Sequence, residues 1–258
     1  MRNRFVKVSN VLRFQAAVAE VERRGAVEKQ IVVVHGDAGL GKSKTGVQWA
    51  VHHDAATISV KPSAGTAWVM SDLVRELGIV PGRICQQLYG QATEALRREP
   101  RPIVVDEVEN ALDRGAAALD LLRAVADECA VTLVLIGREQ TVEKLRRHRQ
   151  IWTRVVAPVE FLPLSIDDVA LLAAELVEGD LDDDLLEEIH RASAGLLRDA
   201  LRLLAYADAV AKRGSGRLSL AAAGELPALY PSAGRHRGRR TASTATILPG
   251  PGHRPEAG

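Results

Sequence analysis

The chain has few aromatic residues and few cysteines, and it contains no long hydrophobic run. Phe, Trp and Tyr make up 3% of its 258 residues, which argues against a surface that stacks successive nucleobases on aromatic rings. Cys85 and Cys129 lack a metal-ligand spacing and are expected to be small buried apolar residues. No segment approaches the roughly twenty apolar residues that span a bilayer, and the N-terminus lacks the apolar stretch of a signal peptide. We therefore expect a cytoplasmic chain without a membrane partner.

The chain also has almost no net charge, although its charges are unevenly distributed. The formal net charge is +1. Residues 163–190 contain ten acidic residues and no Lys or Arg, whereas residues 212–258 contain eight basic and two acidic residues. A composition with 47% hydrophobic and 26% charged residues is typical of a globular protein. The near-zero total thus conceals one acidic and one basic region.

Short apolar runs alternate with amphipathic segments over residues 1–163. The runs that predict strands are 31–34, 56–60, 103–105 and 131–136. The segments that predict helices are 11–24, 44–52, 67–77, 84–98 and 116–128. This order is typical of an α/β fold with a parallel sheet covered by helices on both faces.

The pattern changes after residue 163. Ser165 and Asp168 form a capping-box pattern, and helices are predicted over residues 169–176, 185–193 and 197–212. We expect residues 164–213 to form a small helical lid domain that packs on the sheet domain. Residues 214–258 are rich in Gly, Ser, Pro and Arg, which predicts a basic tail that is mostly disordered.

A complete phosphate-binding loop follows the first predicted strand. Its residues are Gly36, Asp37, Ala38, Gly39, Leu40, Gly41, Lys42 and Ser43, with Lys44 next in the helix that follows. The glycines let backbone N–H groups surround an anion at the helix N-terminus. Lys42 is expected to reach the β- and γ-phosphates, and the Ser43 hydroxyl to bind Mg²⁺. The predicted cofactors are ATP and Mg²⁺.

Two acids end the third predicted strand. Ligands bind at the carboxyl ends of the strands in open α/β sheets, where Asp106 and Glu107 are expected. Asp106 is positioned to hold hydrated Mg²⁺, and Glu107 to polarise the attacking water. Glu109 lies two residues further on and is expected to be a solvent-facing acid at a helix start. His35 and Trp49 flank the loop and are expected to have packing roles.

These motifs resemble those of the AAA+ ATPases, and within them the transposition ATPases related to the phage Mu B protein. The resemblance covers residues 8–212. Besides the phosphate loop and the two acids, it rests on two further segments. They are Gln150-Ile151-Trp152-Thr153-Arg154 and Ala194-Gly195-Leu196-Leu197-Arg198, the second of which is similar to the family's Gly-x-x-Arg sensor 2 element.

The resemblance implies a site shared between subunits of a homo-oligomer, either a ring or a helical filament. Arg154 matches the family's arginine finger, which acts on the neighbouring subunit's nucleotide, with Arg147 and Arg149 as alternatives. Arg198 would face the γ-phosphate from the lid of its own subunit. The alternative for Arg198 is a surface ion pair with Glu187, Glu188 or Asp199.

The sequence departs from the family at two points. The strand predicted over 131–136 is followed by Gly137-Arg138-Glu139, where the family has an Asn or Thr that helps to position water. Arg138 is the candidate substitute for that residue, and hydrolysis is expected to be slow. We expect no counterpart of the helix-turn-helix domain of the Mu B protein before the nucleotide core. DNA contacts are therefore expected from Lys61, Ser63 and Thr66, from the basic run 144–149 or from the cluster 235–240.

By resemblance, the chain would be an ATP-dependent switch that assembles on duplex DNA without sequence preference, directs a transposase or integrase to target DNA, and is released by hydrolysis. A second hypothesis is a nucleotide-gated adaptor or signalling ATPase that recruits proteins through its acidic helical region and does not bind DNA. A third assigns the ATPase core to replication initiation or secretion.

Overall fold

The computed structural model describes residues 1–24, 30–214 and 217–229, and Met1–Pro227 form one compact unit. The strands are β1 (Ile31–His35), β2 (Ala56–Ser59), β3 (Ile103–Asp106), β4 (Leu133–Ile136) and β5 (Val155–Glu160). The helices up to β5 are α1 (Ser9–Arg24), α2 (Lys42–His52), α3 (Thr66–Glu76), α4 (Cys85–Arg98), α5 (Glu109–Leu112), α6 (Ala117–Cys129), α7 (Thr141–Arg146) and α8 (Arg149–Trp152). The later helices are α9 (Ile166–Leu176), α10 (Asp183–Ser193), α11 (Leu197–Ala211) and α12 (Leu220–Ala223).

The five strands form one parallel sheet in the order β2-β3-β4-β1-β5. Because the strands are parallel, all of their carboxyl ends lie at the same edge. The loop after β1 and the acids after β3 are therefore on one edge, with β4 between the two strands. The predicted α/β architecture is confirmed. Across the described ranges, every helix is too short or too polar to cross a membrane.

Both faces of the sheet are covered by helices. Alternate side chains of a strand point to opposite faces, and in β1 Ile31 and Val33 pack into the core beneath α3, α4 and α6. Val32 and Val34 pack on the other face with Phe14 of α1 and with α2. All four β1 valine and isoleucine side chains are fully buried, which explains their continuous apolar sequence.

The sequence did not predict β5. Pro158 cannot donate a hydrogen bond to a sheet and normally argues against a strand. Here β5 is an edge strand that pairs with β1 alone, and Pro158 lies opposite Val33. An edge position requires ladder bonds on one side only, so the proline is tolerated.

The helices after β5 form a cluster that is attached to α1 through Asp168. The predicted capping box is present, because the Ser165 hydroxyl accepts from the Asp168 N–H at 3.1 Å and the Asp168 carboxylate accepts from the Ser165 N–H at 3.2 Å. The same carboxylate accepts from the Ser9 N–H and hydroxyl at 2.8 and 2.7 Å. This buried acid therefore joins the helical cluster to the start of α1.

Part of the predicted tail is structured. Leu218 forms a β-bridge with Leu181, and α12 contacts α10 and α11. The helical cluster thus continues beyond residue 214, where the sequence predicted the tail to begin. Residues 230–258, which include the basic cluster 235–240, lie outside the described residues.

Candidate functional site

The loop between β1 and α2 has a backbone that requires glycine. The φ angle is 137° at Gly36 and 91° at Gly41, a range that side chains strongly disfavour. A Cβ atom on Gly36 would lie 2.5 Å from the Phe161 carbonyl oxygen, and one on Gly41 would lie 2.4 Å from Cδ2 of Leu197. The loop then leads directly into the N-terminus of α2, an arrangement that binds phosphate.

Lys42 is held by the carbonyl groups of its own loop. Its Nζ donates to the oxygens of Gly36 and Asp37 at 2.7 and 2.6 Å. Burial lowers the pKa of Lys42 below its usual value, and the carboxylates of Glu109, Asp106 and Asp37 partly offset this effect. The ammonium is therefore a half-buried cation whose present partners are neutral oxygens. An anion in the loop would be a stronger partner for it.

Asp106 and Glu107 lie at the carboxyl end of β3, as predicted, but their carboxylates have different partners. Asp106 accepts a hydrogen bond from the Glu107 N–H at 2.8 Å. Glu107 has a φ of 56° and accepts from the Ser59 hydroxyl at the end of β2, at 2.9 Å. A left-handed backbone at a non-glycine residue is strained. This conformation directs Glu107 towards β2.

A cavity of about 530 Å³ brings the predicted phosphate and acid residues together. Its walls come from the phosphate loop, the end of β3, the end of β4 and the start of α11. The lining residues are Ala38, Gly39, Gly41, Lys42, Ser43, Lys44, Asp106, Glu107, Glu109, Gly137, Arg138, Leu197, Arg198 and Leu201. Gly36, Asp37 and Leu40 complete the loop behind this surface.

The donor set in the cavity fits a magnesium ion that is bound together with phosphate. Ser43 and Asp106 both line the cavity. Mg²⁺ usually takes one or two protein oxygens and completes its shell with water and phosphate. Within the described part of the chain, no group of three or more His, Cys, Asp or Glu residues could hold a metal ion. The fit is to a metal–nucleotide complex rather than to an all-protein metal centre.

An apolar cavity adjoins the phosphate cavity. It has a volume of about 30 Å³ and shares Gly41, Lys44, Leu197 and Leu201 with the larger one. Its apolar walls come from the N-terminal segment, α1, the phosphate loop, the residue after β5, α9 and α11. They are Phe5, Val6, Val8, Val11, Leu40, Phe161, Leu172, Leu176, Leu197 and Leu201. Sequence reasoning missed this cavity because its walls are more than 150 residues apart and meet only in the folded chain.

Arg198 lies at the phosphate loop of its own chain. Its backbone N–H donates to the Gly39 carbonyl at 3.0 Å, and its side chain lines the cavity. The alternative ion pairs with Glu187, Glu188 or Asp199 do not form, and Arg198 has no ion pair in the ranges that the structure describes. Its guanidinium is exposed beside the site.

Arg154 lies at the opposite edge of the sheet from its own phosphate loop. Its carbonyl accepts from the N–H of Ile31, the first residue of β1, at 3.1 Å, whereas the loop follows the last residue of that strand. Its Nε lies 3.3 Å from a carboxylate oxygen of Asp127. A strand of five residues is about 17 Å long, so Arg154 lies far from the phosphate loop of its own chain.

The basic run 144–149 is largely occupied by local contacts. Lys144 pairs with Asp113 at 2.5 Å, Arg147 pairs with Glu143 at 2.8 Å, and the Arg146 guanidinium lies over the Trp152 ring. Arg149 begins α8. These contacts are typical of a solvated helical surface.

The loop after β2 is exposed and connected to the acid segment. Lys61 and Ser63 are exposed, and Thr66 begins α3. Just before them, the Val60 N–H donates to the Asp106 carbonyl at 3.0 Å, and the Val60 carbonyl accepts from the Asn110 amide at 2.7 Å. The start of the predicted DNA-contact loop is therefore bound to the segment that carries the two acids.

The expectation that Glu109 faces solvent is wrong. Its side chain is only 14% exposed and lines the cavity, with one carboxylate oxygen 2.8 Å from Nε of Arg138. Glu109 is the first residue of the four-residue α5. The expected packing of Trp49 is confirmed, since it is 5% exposed and meets Phe14 edge-on at 5.9 Å. Burial lowers the pKa of His35.

Residues 24–145 match the family model described as an AAA domain. The fold is that of a P-loop AAA domain. No curated protein sequence matches the chain. The family model ends before Arg154 and Arg198, so the matched residues include the phosphate loop and the two acids but neither of these arginines.

Several solved structures share the AAA fold. The Orc1 protein of Aeropyrum pernix, solved in complex with DNA, is 20% identical with a TM-score of 0.59, covering 86% of this chain and 65% of that one. Cdc6p of Pyrobaculum aerophilum is 17% identical with a TM-score of 0.58, covering 79% and 61%. The RuvB Holliday junction branch migration motor of Thermotoga maritima is 18% identical with a TM-score of 0.54, covering 85% and 68%. The chain thus spans less than two thirds of the first two.

Proposed function

We propose that the chain binds ATP with Mg²⁺ in the larger cavity, hydrolyses it slowly, and uses the bound state to assemble on duplex DNA. The observation that carries this proposal is the cavity itself. It joins the phosphate loop, Asp106, Glu107 and the lid residue Arg198 in one polar space of about 530 Å³. An AAA domain implies nucleotide binding, and these residues supply the positive charge, the metal ligands and the general base.

Each residue has a defined part in this proposal. Lys42 exchanges its two loop carbonyls for phosphate oxygens, which are stronger acceptors because they are charged. Ser43 and Asp106 would hold Mg²⁺, which neutralises phosphate charge when bound. The apolar cavity beside Lys44 would bind the nucleobase of ATP. Because its volume is only about 30 Å³, the N-terminal segment or the lid must move to admit a purine ring.

Glu107 would orient the attacking water, and Ser59 links it to the DNA-contact loop. In the structure the Ser59 hydroxyl holds the Glu107 carboxylate, and Lys61 follows only two residues later. Contact of Lys61, Ser63 or Thr66 with a phosphate backbone would displace the end of β2 and thereby change the Ser59 contact. DNA binding and hydrolysis would then influence each other.

Arg154 would complete the site of a neighbouring chain in a homo-oligomer, a ring or a helical filament. Its place at the far edge of the sheet supports action in trans, where its planar charged group would stabilise γ-phosphate charge. Arg198 would act in the same chain and connect the nucleotide to the lid angle.

Mixed assemblies test this shared site. Arg154→Ala chains retain Glu107, and Glu107→Gln chains retain Arg154, so each variant alone is expected to hydrolyse ATP very slowly. Mixing them places an intact finger beside an intact base at some interfaces, and steady-state hydrolysis should rise above the sum of the separate rates. A mixture no faster than that sum would exclude Arg154 as a finger in trans.

The finer proposal is that this switch directs a transposase or integrase to target DNA. It is supported by the resemblance of the motifs to the Mu B-type ATPases, and two structural relatives are described with DNA or a DNA junction. The alternative, an adaptor that does not bind DNA, is supported by the acidic α10 region, where Glu187 and Asp180 have no basic partner among the described residues.

Retention on duplex DNA separates these two functions. At low salt we expect wild-type chain to be retained with ATP and released with ADP, because only the triphosphate state assembles. Lys61→Ala should weaken retention and lower the slope of log affinity against log salt by about one. Lys7→Ala, which also removes an exposed lysine, is the matched control. The DNA proposal fails if ATP produces no retention at low salt.

A further inference from the structure

Asp127 lies in the last turn of α6 and carries a charge that this position disfavours. The helix dipole places partial negative charge at the C-terminus, so a carboxylate there needs nearby cations. Asp127 has two of them. One carboxylate oxygen, Oδ2, accepts from the Arg123 guanidinium one turn earlier and lies 3.3 Å from Nε of Arg154. Because Arg154 precedes β5, the carboxylate joins α6 to the start of the edge strand.

The Asp127 carboxylate is itself fixed to the sheet. Its other oxygen, Oδ1, accepts from the side-chain amide of Gln30 at 2.7 Å. Gln30 is 4% exposed, and its backbone carbonyl accepts from the Leu133 N–H at 3.0 Å. With one oxygen bound to a buried amide and the other shared by two guanidinium groups, the orientation of the carboxylate is set before any ligand or partner arrives.

The two arginines beside this carboxylate are held differently. Arg123 is 19% exposed and also pairs through Nε with Asp120 at 2.9 Å. Arg154 is 38% exposed, and its contact with the carboxylate uses Nε. Its terminal amino groups form no hydrogen bond within the part of the chain that the structure describes. Arg154 therefore keeps the flat donor edge that matches phosphate oxygens, whereas Arg123 is committed to its own helix.

We propose that Asp127 is the positioning residue for Arg154, holding the guanidinium through Nε so that its terminal amino groups are presented to the nucleotide of a neighbouring subunit. This inference rests on the proposed action of Arg154 in trans and adds the residue that sets the direction of its side chain. An unrestrained arginine loses rotamer freedom when it docks on phosphate. With Asp127 in place, part of that loss has occurred before the subunits meet.

Positioning and sequestration predict opposite effects for Asp127. If the carboxylate only neutralised Arg154 and kept it from the neighbouring subunit, its removal would accelerate hydrolysis by the assembly. If it positions the guanidinium, its removal leaves a mobile side chain, and hydrolysis slows. In both cases the chain's own phosphate loop is unaffected, because Asp127 contacts the residue before β1 and the loop follows that strand.

The test begins with hydrolysis at saturating ATP. Asp127→Ala is expected to hydrolyse ATP about tenfold more slowly, the size of the rotamer freedom that a long side chain regains. Its affinity for the Mg²⁺ complex of AMP-PNP, a non-hydrolysable ATP analogue, should stay within twofold of the wild type. Asp127→Asn keeps the volume and an oxygen for Gln30, and it should also be slower. Asp72→Ala, which removes a carboxylate paired with Arg75 at 2.7 Å, is the matched control and should keep the wild-type rate.

Mixed assemblies then identify which half of the shared site Asp127 serves. Glu107→Gln chains supply an intact finger and Asp127→Ala chains an intact general base, so their mixture should exceed the sum of the separate rates. A mixture of Asp127→Ala with Arg154→Ala should show no such gain, because every interface then has a defective finger. A variant that damaged only the nucleotide site of its own chain would be rescued by Arg154→Ala chains.

The possible failures are distinguishable. If mixing Arg154→Ala with Glu107→Gln gives no gain, the proposed action of Arg154 in trans fails. If that mixture gains, three results would overturn the positioning role of Asp127 while the finger stands. They are hydrolysis by Asp127→Ala at or above the wild-type rate, a gain on mixing it with Arg154→Ala, and no gain on mixing it with Glu107→Gln.

Discussion

The Lys42→Ala variant is expected to lose ATP binding by roughly a hundredfold or more. Lys42 already makes two contacts with loop carbonyls, and charged phosphate oxygens would replace both. Each hydrogen bond between charged groups contributes about 1.5–3 kcal/mol. Removal also leaves the carboxylates of Asp106 and Glu109 facing a polyanion without this ammonium, so repulsion adds to the loss. Calorimetric titration with Mg²⁺-ATP measures it.

The matched control is Lys144→Ala, which removes a lysine paired with Asp113 outside the cavity and should bind ATP normally. The ATP affinity of the wild type is also expected to depend on pH. Because burial lowers the pKa of Lys42, raising the pH removes its charge earlier than that of an ordinary lysine. Affinity should therefore begin to fall at a correspondingly lower alkaline pH. Undiminished ATP binding by Lys42→Ala would mean that the loop is not the phosphate site.

Glu107→Gln is expected to bind ATP like the wild type but to hydrolyse it about a hundredfold to ten-thousandfold more slowly. A positioned general base contributes a factor of this size. Glutamine keeps the shape and can accept the Ser59 hydrogen bond, but it cannot take up a proton from water at neutral pH. Phosphate release under saturating ATP measures the rate, and the bound state should persist on DNA.

Glu99→Gln, an exposed acid at the end of α4, is the control and should hydrolyse ATP at the wild-type rate. If Glu107→Gln hydrolysed ATP at the wild-type rate, a different acid would be the general base. Loss of ATP binding in the same variant would indicate a damaged site rather than a missing general base. Because the Glu107 N–H donates to the Asp106 carboxylate, ATP affinity is measured together with the hydrolysis rate.

The parts of the site that the sequence predicted are local in the chain. The phosphate loop occupies consecutive residues, and its glycines are required by the backbone itself, as Gly36 and Gly41 demonstrate. Asp106 and Glu107 end a wholly apolar strand, so their place at the carboxyl edge follows from the α/β pattern. The capping box of Ser165 and Asp168 is equally local.

The parts that the sequence did not predict depend on contacts between distant segments. Pro158 argues against a strand in the sequence, and only the sheet order shows that β5 is an edge strand, where a proline is tolerated. The direction of Glu109 depends on a helix of four residues, too short to have a periodicity. The Ser59 contact to Glu107 joins residues 48 positions apart. The apolar cavity needs Phe5 and Leu172 together.

We expect the cavity at the carboxyl edge of the sheet to bind a nucleoside triphosphate with magnesium. Calorimetric titration of the wild-type chain with ATP, with and without Mg²⁺, beside the Lys42→Ala variant tests this binding directly. We expect about one nucleotide per wild-type chain, tighter binding with Mg²⁺, and no measurable binding by the variant. Absence of binding by the wild type, or equal binding by both chains, would show that this cavity is not the triphosphate site.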